Sequence, residues 1–293
     1  MNKGYLYILI NPALPEKLIK IGKSTSVPPR VNPSSLTSDI PHIVYDIQVQ
    51  DCDKAEMLVN KQLKKYRHKK YQDFYNLPVD KAVQIIKESA EQLDKLEYYK
   101  KAIELDPNNS AFYNNLGCIY DRLNNSTAAI NAYKKAIELD PGNAILFNNL
   151  GCNYGKLGLY RKAIDSFKES IQINPDFIKS YFDLGFSYGQ LGVHKEAVKA
   201  FKIAIKINPN IAQLHYNLGY SYNKLNLHKE AINAFNNAVN VNPKYINAHY
   251  SLGIKYLNTD DKENALKKYK DLKKLDKHKA KELFNLIYKQ YRK

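Results

Sequence analysis

The chain has two regions with different patterns of apolar and polar residues. From about residue 110 onward, apolar residues recur at helical spacing inside a longer period of 34 residues. Each period contains a Leu-Gly pair, a Tyr three residues after the Gly, an Ala twelve residues after it, then an aromatic residue and a Pro. A period of this length with helical apolar spacing predicts stacked pairs of helices.

The columns of this pattern each have a physical reason. Gly and Ala let two antiparallel helices cross closely, and the aromatic residues fill the space between helix pairs. Each Pro ends a second helix, because it lacks an N–H and disfavours helix in the preceding residue. The prolines are Pro107, Pro141, Pro175, Pro209 and Pro243. One pair cannot bury its apolar face alone, so we expect the stack to fold as a unit.

The period resembles the tetratricopeptide repeat (TPR), with Tyr, Phe or His in the place of its usual Trp. The resemblance implies an all-α solenoid that binds a protein or peptide on the concave face built from the first helices. We predict five repeats, at residues 110–143, 144–177, 178–211, 212–245 and 246–279.

The two ends of the array differ from its middle. Residues 91–109 are predicted to form a partial repeat or linking helix, with residues 96–107 as a second helix and residues 79–90 as its first. Residues 280–293 are predicted to form a capping helix with a polar outer face.

One residue before each Leu-Gly pair, the first helices carry a polar column. Its members are Asn115, Asn149, Asp183, Asn217 and Ser251, of which the first four are candidate peptide-binding residues. An Asn side chain has one acceptor and two donors, so it can pair with a peptide backbone. The column resembles the asparagine ladder of the O-linked N-acetylglucosamine transferase repeats. The alternative, that these side chains are solvated or satisfy local backbone, stays open.

Residues 1–90 lack the 34-residue register and have the shorter patterns of an α+β domain. Residues 4–10 and 18–22 are short β-rich runs, and residues 42–50 alternate, with Ile43, Tyr45, Ile47 and Val49 on one face. Residues 53–67 have apolar residues at helical spacing. We predict a small antiparallel sheet with flanking helices, followed by the all-α array.

The order of these segments resembles the GIY-YIG nuclease superfamily, in its phage-associated branch. The motifs are Gly4-Tyr5-Leu6-Tyr7-Ile8-Leu9, Lys20-Ile21-Gly22-Lys23, Arg30, Ala55-Glu56 and Asp73-Phe74-Tyr75. The resemblance covers residues 3–90 and implies metal-assisted hydrolysis of phosphodiester bonds.

The resemblance also implies roles for individual residues. Glu56 would hold a divalent metal ion, with Mg²⁺ the expected one, and Arg30 would donate to the phosphate. A tyrosine of the first strand, Tyr7 or Tyr5, would position or deprotonate the attacking water. Lys20 stands in the place of the second-motif tyrosine.

Other positions depart from the superfamily pattern. Asn60 stands where a His is common, Asp73 replaces the usual Glu, and prolines interrupt the segment around Arg30. Two interpretations therefore remain open: an endonuclease domain joined to a TPR scaffold, or a non-enzymatic TPR adaptor with a degenerate domain of the same type.

The net charge of the chain indicates which kinds of partner it could bind. The composition, 44% apolar and 25% charged, excludes a disordered chain, but the formal net charge is +16. Such an excess favours a nucleic-acid partner such as DNA, although a bias toward Lys, Asn and Tyr codons would give the same excess. Residues 1–90 carry +5, residues 91–261 carry +3 and residues 262–293 carry +8.

A basic cluster lies close to the candidate catalytic residues. Residues 61–70 hold six Lys or Arg side chains, which could follow a nucleic-acid backbone. The candidate nucleic-acid-binding residues are Lys23, Lys61, Lys64, Lys65, Arg67, Lys69 and Lys70. The alternative for this cluster is a solvated charged face.

The apolar runs and the number of cysteines indicate in which cellular compartment the protein is expected. The run from Tyr5 to Ile10 is too short for a signal peptide or a membrane span, and three cysteines cannot form a disulfide framework. We therefore expect a cytoplasmic protein without a membrane anchor.

Overall fold

The structure is a computed structural model that describes residues 3–10, 18–26, 42–71 and 73–291. The chain divides into two compact units, Met1–Ala132 and Tyr133–Lys293. Arg30 and the prolines around it lie outside the described residues. The predicted fold class is confirmed: a small antiparallel sheet with helices is followed by a run of paired helices.

Three antiparallel strands form the sheet in the first unit. They are β1 (Gly4–Ile10), β2 (Ile19–Ser24) and β3 (His42–Val49), in the order β2-β1-β3. Tyr7 pairs with Gly22 on β2 and with Asp46 on β3. Because side chains alternate along a strand, Leu6 and Ile8 point to the other face, where they are fully buried in the core.

A β-bulge changes the predicted face of one residue. Tyr45, Ile47 and Val49 pack against the core of the first unit as expected. The register of β3 against β1 shifts between Ile8 and Leu9, so Ile43 pairs with Leu9 instead of continuing the core-facing row.

Helices cover the buried face of the sheet. They are α1 (Cys52–Leu63), which is followed by a single 3₁₀ turn at Lys64–Tyr66, and α2 (Val79–Leu105). Helix α3 (Ser110–Arg122) packs against α2. The predicted break between residues 79–90 and 96–107 is wrong, because α2 is one continuous helix. Of the basic cluster at residues 61–70, only Lys61 lies on α1 with Glu56, because this helix ends at Leu63.

The remaining helices follow the predicted pairs. They are α4 (Ser126–Leu139), α5 (Ala144–Lys156), α6 (Tyr160–Ile173), α7 (Ile178–Gln190), α8 (His194–Ile207), α9 (Ala212–Lys224), α10 (His228–Val241), α11 (Ile246–Asn258), α12 (Lys262–Leu275) and α13 (Lys277–Tyr291). The second helices α6, α8 and α10 each end two residues before a Pro, as the pattern predicts.

The turn inside each pair depends on one left-handed residue. Asn124, Gly158, Gly192, Asn226 and Asp260 have positive φ and lie 34 residues apart. After each of them, a backbone N–H donates to a Tyr carbonyl in the last turn of the first helix, as from Val193 to Tyr188. This is the hydrogen bond by which a Schellman cap satisfies carbonyls at a helix end.

The Gly of each Leu-Gly pair lets two helices touch. A Cβ added to Gly185 on α7 would lie 2.7 Å from the ring of Phe201 on α8, and Gly151 and Gly219 have the same contact with Phe167 and Phe235. A distance this short leaves no room for a side chain. At these three positions the periodic Gly is therefore needed for close packing inside the pair.

The predicted capping helix is α13, but its outer face is not polar throughout. Ala280, Leu283 and Ile287 are buried against the preceding helices. Phe284 and Tyr288 remain exposed on the outer face, where solvated polar residues were expected. Among the described helices, none is long and apolar enough to cross a membrane.

Candidate functional site

The N-terminal candidate site is built around an ion-pair cluster between β2 and α1. Lys23 Nζ lies 2.6 Å from Asp53 Oδ1 and 2.9 Å from Glu56 Oε2. Hydrogen bonds to Asp53 first, and then to Glu56, hold the pKa of Lys23 well above its usual value. Lys23 therefore stays protonated at pH 7 and pairs with two carboxylates.

Strand alternation separates the other candidates from this cluster. Tyr7 pairs with Gly22 and Leu6 pairs with Lys23, so Tyr7 and Lys23 leave opposite faces of the sheet. Tyr5 and Lys20 share the face of Tyr7. The ring of Tyr7 covers Gly22 so closely that a Cβ there would overlap it. The structure thus brings Lys23 to Glu56, and it puts Tyr5, Tyr7 and Lys20 on the opposite face of the sheet.

The acid-aromatic segment lies beside the edge strand β2. Lys20 Nζ is 3.6 Å from Asp73 and 5.9 Å from the centre of the Phe74 ring. The hydroxyl of buried Tyr75 donates to Asn60 Oδ1 at 2.8 Å. Asn60, which replaces the common His, is thus held by the segment that the resemblance assigns to the site.

A divalent ion could bind this cluster through a single protein carboxylate, that of Glu56. Glu56 is partly exposed, and one reachable carboxylate suits an ion whose other ligands are water and substrate. Within the described residues, no group of three His, Cys, Asp or Glu side chains is arranged to hold a metal. An ion at Glu56 must also compete with the ammonium of Lys23.

The basic cluster is exposed and interleaved with aromatic rings. Lys65 and Lys70 lie 5.0 and 5.4 Å from the ring centres of Tyr66 and Tyr71. Arg67 forms an isolated β-bridge with Tyr75, which ties the cluster to the acid-aromatic segment. The cluster therefore combines exposed positive charge with partly exposed aromatic rings.

In the repeats, the candidate peptide site is a groove between two first helices. This α7–α9 groove has a volume of about 300 Å³. It is lined by Gly185, Phe186, Gly189, Gln190, Phe201, Tyr216, Asn217, Tyr220 and Ser221. Of the polar column, Asn217 therefore lies at the groove.

Two aromatic residues of this groove were missed from the sequence. Phe186 and Tyr220 are about half exposed, although most periodic aromatics are packed inside. They occupy one repeat column, three residues after Asp183 and Asn217, which also holds Cys152. Position in the period was the available signal, because this column follows the polar column by one helical turn.

Charge at the groove is set by Lys224. Its Nζ lies 5.4 Å from the centre of the Tyr220 ring, and the His194 ring lies 6.5 Å from the same ring. Burial, and then the nearby charge of Lys224, lowers the pKa of His194. The imidazole is therefore neutral at pH 7, and Lys224 supplies the positive charge.

The Asp183 side chain forms hydrogen bonds with residues of the preceding repeat. Its Oδ2 accepts hydrogen bonds from Asn148 Nδ2 at 3.1 Å and from Cys152 Sγ at 3.4 Å. Burial raises the pKa of Asp183, and these two hydrogen bonds partly oppose the shift. Asn115 and Asn149 are half-buried on α3 and α5, and the Asn149 carbonyl accepts from Asn153 Nδ2.

Replacing Asp183 by Asn should stabilise the protein at pH 7 by on the order of 1 kcal/mol. A carboxyl whose pKa is raised by folding contributes most stability below its unfolded pKa of about 3.9, and loses that contribution as pH rises through the folded pKa. The gain from Asn should therefore shrink between pH 7 and pH 4. Thermal unfolding at both pH values measures it, with exposed Asp165→Asn as the control. A gain independent of pH would contradict this account of Asp183.

Family models match both parts of the chain. Models described as tetratricopeptide repeat match residues 98–131, 144–177 and 212–245, and a TPR repeat model matches residues 119–158 and 190–226. The helix pairs are therefore tetratricopeptide repeats. The model of the T5orf172 domain matches residues 4–90.

Solved structures agree on the repeats. A crystal structure of MamA is 29% identical, with a TM-score of 0.54 over 57% of this chain and 97% of that one. MamA from Desulfovibrio magneticus RS-1 is 20% identical, with a TM-score of 0.55 over 58% and 96%. YrrB, described as a TPR protein with an unusual peptide-binding site, is 23% identical, with a TM-score of 0.55 over 65% and 99%. No curated protein matches the sequence.

Proposed function

We propose that the repeats bind an extended peptide in the α7–α9 groove, and that the N-terminal domain acts on nucleic acid. The groove carries the first part of the proposal, because it combines Asn217 with two half-exposed rings. Pockets of this kind bind by apolar contact and use a few polar groups to fix the ligand's orientation. Peptide binding by YrrB, a protein of the same fold, is consistent with it.

The groove has a place for each part of a peptide. Phe186 and Tyr220 offer apolar surface to its side chains, and Asn217 offers a donor and an acceptor to its backbone. A Cβ at Gly189 would meet no atom within 4 Å, so this position leaves open space for the peptide. Lys224 favours an acidic group beside Tyr220.

The peptide proposal can be tested with peptides selected from a random display library on the full chain. We expect Tyr220→Ala, and separately Asn217→Ala, to weaken a selected peptide roughly tenfold or more in calorimetric titration. Tyr98→Ala is the matched control, because Tyr98 is an exposed tyrosine on α2, outside the groove. Selected peptides that bind the Tyr220 and Tyr98 variants equally well would exclude the groove as their site.

The second part of the proposal is that the T5orf172-type domain binds nucleic acid and hydrolyses phosphodiester bonds, as a GIY-YIG nuclease would. The cluster of Lys23, Asp53 and Glu56 beside the exposed basic residues favours it. The basic cluster at residues 61–70 would attract phosphate, and Arg30 would donate to it. Mg²⁺ bound at Glu56 would stabilise the charge on the phosphate and the leaving oxygen.

Plasmid nicking with Mg²⁺ separates an enzyme from a non-enzymatic adaptor. We expect wild type to nick, and Glu56→Gln and Arg30→Ala each to lower the rate by about 10²-fold or more. Glu91→Gln is the matched control, because Glu91 is a carboxylate paired with Lys95 on α2, away from the cluster. An inactive wild type, or equal rates in all variants, would leave the adaptor as the function of this domain.

A further inference from the structure

The last two helices form an exposed surface that combines positive charge with aromatic rings. Residues 262–293 carry 12 basic and 4 acidic side chains. Phe284 and Tyr288 are 42% and 52% exposed on α13, although the rings of most repeat aromatics are packed. Neither the peptide groove nor the N-terminal cluster uses this surface.

Three acidic side chains near α13 contact groups other than Lys277 and Lys281. Asp271 lies 3.5 Å from Lys268, and Asp276 accepts from the backbone at the start of α13. Glu282 lies 3.2 Å from His278. In the part of the chain that the structure describes, Lys277 and Lys281 are exposed and form no ion pair.

The rings of Tyr269, Phe284 and Tyr288 form a contiguous cluster between α12 and α13. The ring centres of Tyr269 on α12 and Phe284 are 5.2 Å apart, and those of Phe284 and Tyr288 are 6.2 Å apart, with planes 16° from parallel. Packing against Tyr269 and Tyr288 holds Phe284 in place, and the side chain remains 42% exposed. The rings are therefore presented in fixed orientations.

Charge and rings lie along one line of α13. Lys277, Lys281, Phe284 and Tyr288 are spaced by four, three and four residues, which puts them on one helical face. We name these four residues the cap strip. Its length, about 16 Å at 1.5 Å per residue, spans a few nucleotides.

We propose that the cap strip binds single-stranded nucleic acid, with bases stacked on Phe284 and Tyr288 and phosphates beside Lys277 and Lys281. Aromatic side chains next to cations form the common platform for single strands, because every base offers a π-face and every linkage a charge. A duplex keeps its base faces stacked internally, so it could use the lysines but not the rings. A second copy of the strip would bring like charges together, which disfavours self-association.

The test uses the full chain and a fluorescent dT12 oligonucleotide, with binding followed by anisotropy. We expect Phe284→Ala with Tyr288→Ala to weaken binding roughly tenfold or more. Lys277→Gln with Lys281→Gln should lower the slope of log affinity against log salt by about 1.4. Phe284→Tyr with Tyr288→Phe keeps both rings and should bind like wild type.

Cross-linking separates this surface from the basic cluster at residues 61–70. A 4-thiothymidine oligonucleotide should cross-link to residues 277–291, and it should do so whether or not the protein nicks plasmid. Unchanged dT12 affinity in the double alanine variant, or adducts confined to residues 1–90, would overturn the proposal. So would a dimer in sedimentation that the alanine variant abolishes, if that protein binds no oligonucleotide.

Discussion

Replacing Phe201 by Ala should lower the free energy of unfolding by about 3–5 kcal/mol. The Phe201 side chain is 2% exposed and fills the space beside Gly185, where a neighbouring helix comes too close for any larger residue. Truncation removes its apolar contacts and leaves a cavity that α7 and α8 cannot close without moving. Urea unfolding followed by far-UV circular dichroism measures the loss.

Phe186→Ala is the matched control for this effect. Phe186 lies on α7 and, like Phe201, lines the α7–α9 groove. It is 49% exposed, so its truncation should change the free energy of unfolding by no more than about 0.5 kcal/mol. The two variants make the same chemical change at two levels of burial. Equal losses would mean that the periodic aromatics are not the packing elements of the repeats.

Replacing Leu283 by Ala should cost about 2–5 kcal/mol. Leu283 is fully buried, and its methyl groups occupy the space where a Cβ on Gly253 would stand. Its loss should loosen α13 from α11 and expose apolar residues of the last repeat. Thermal unfolding measures the cost, and hydrogen exchange should show reduced protection in α11–α13 first, because repeats unfold from their weakest interface.

Leu286→Ala on the same helix provides the comparison. Leu286 is 41% exposed, so this variant should keep nearly all of the wild-type stability. If Leu286→Ala costs as much as Leu283→Ala, the outer face of α13 must be covered in solution. Neither variant changes a residue of the cap strip, and both are measured without oligonucleotide, so they test the helix's structural role separately from any ligand.

The repeated elements could be predicted because each column of the period has a packing reason. The Gly-to-ring contact follows directly from the Leu-Gly and aromatic columns. The left-handed turn residues were not identified, although Asn124, Gly158 and Asp260 are types that adopt positive φ and stand in one column. That signal was present in the sequence.

Departures from the period were harder to predict. The continuity of α2 was missed because residues 79–105 were divided to complete a repeat, although no Gly or Pro interrupts them. The bulge between Ile8 and Leu9 has no such signal, since it depends on how β1 and β3 settle on a shared core.

In the candidate sites, too, contacts between distant parts of the chain could not be predicted from the sequence. Motif order indicated Glu56, but it did not indicate that Lys23 would pair with both Glu56 and Asp53. That contact depends on where β2 ends relative to α1, which the core determines. In the repeats, Asp183 was placed in a peptide-binding column, yet its carboxylate accepts from Asn148 and Cys152 one repeat earlier. Contacts between repeats are not visible in a single period.

The contact between Gly253 and Leu283 also distinguishes the last helix pair from those before it. In the middle of the array, the ring that covers the Gly comes from the second helix of the same pair, as Phe201 covers Gly185. In the last pair, Leu283 of α13 takes that place, and Tyr269 packs against Phe284 instead. A sixth helix pair added after α12 would compete with α13 for one docking position. A 34-residue unit inserted at this junction would therefore separate Gly253 from Leu283, whereas a unit inserted inside the array would keep each Gly beside the ring of its own pair.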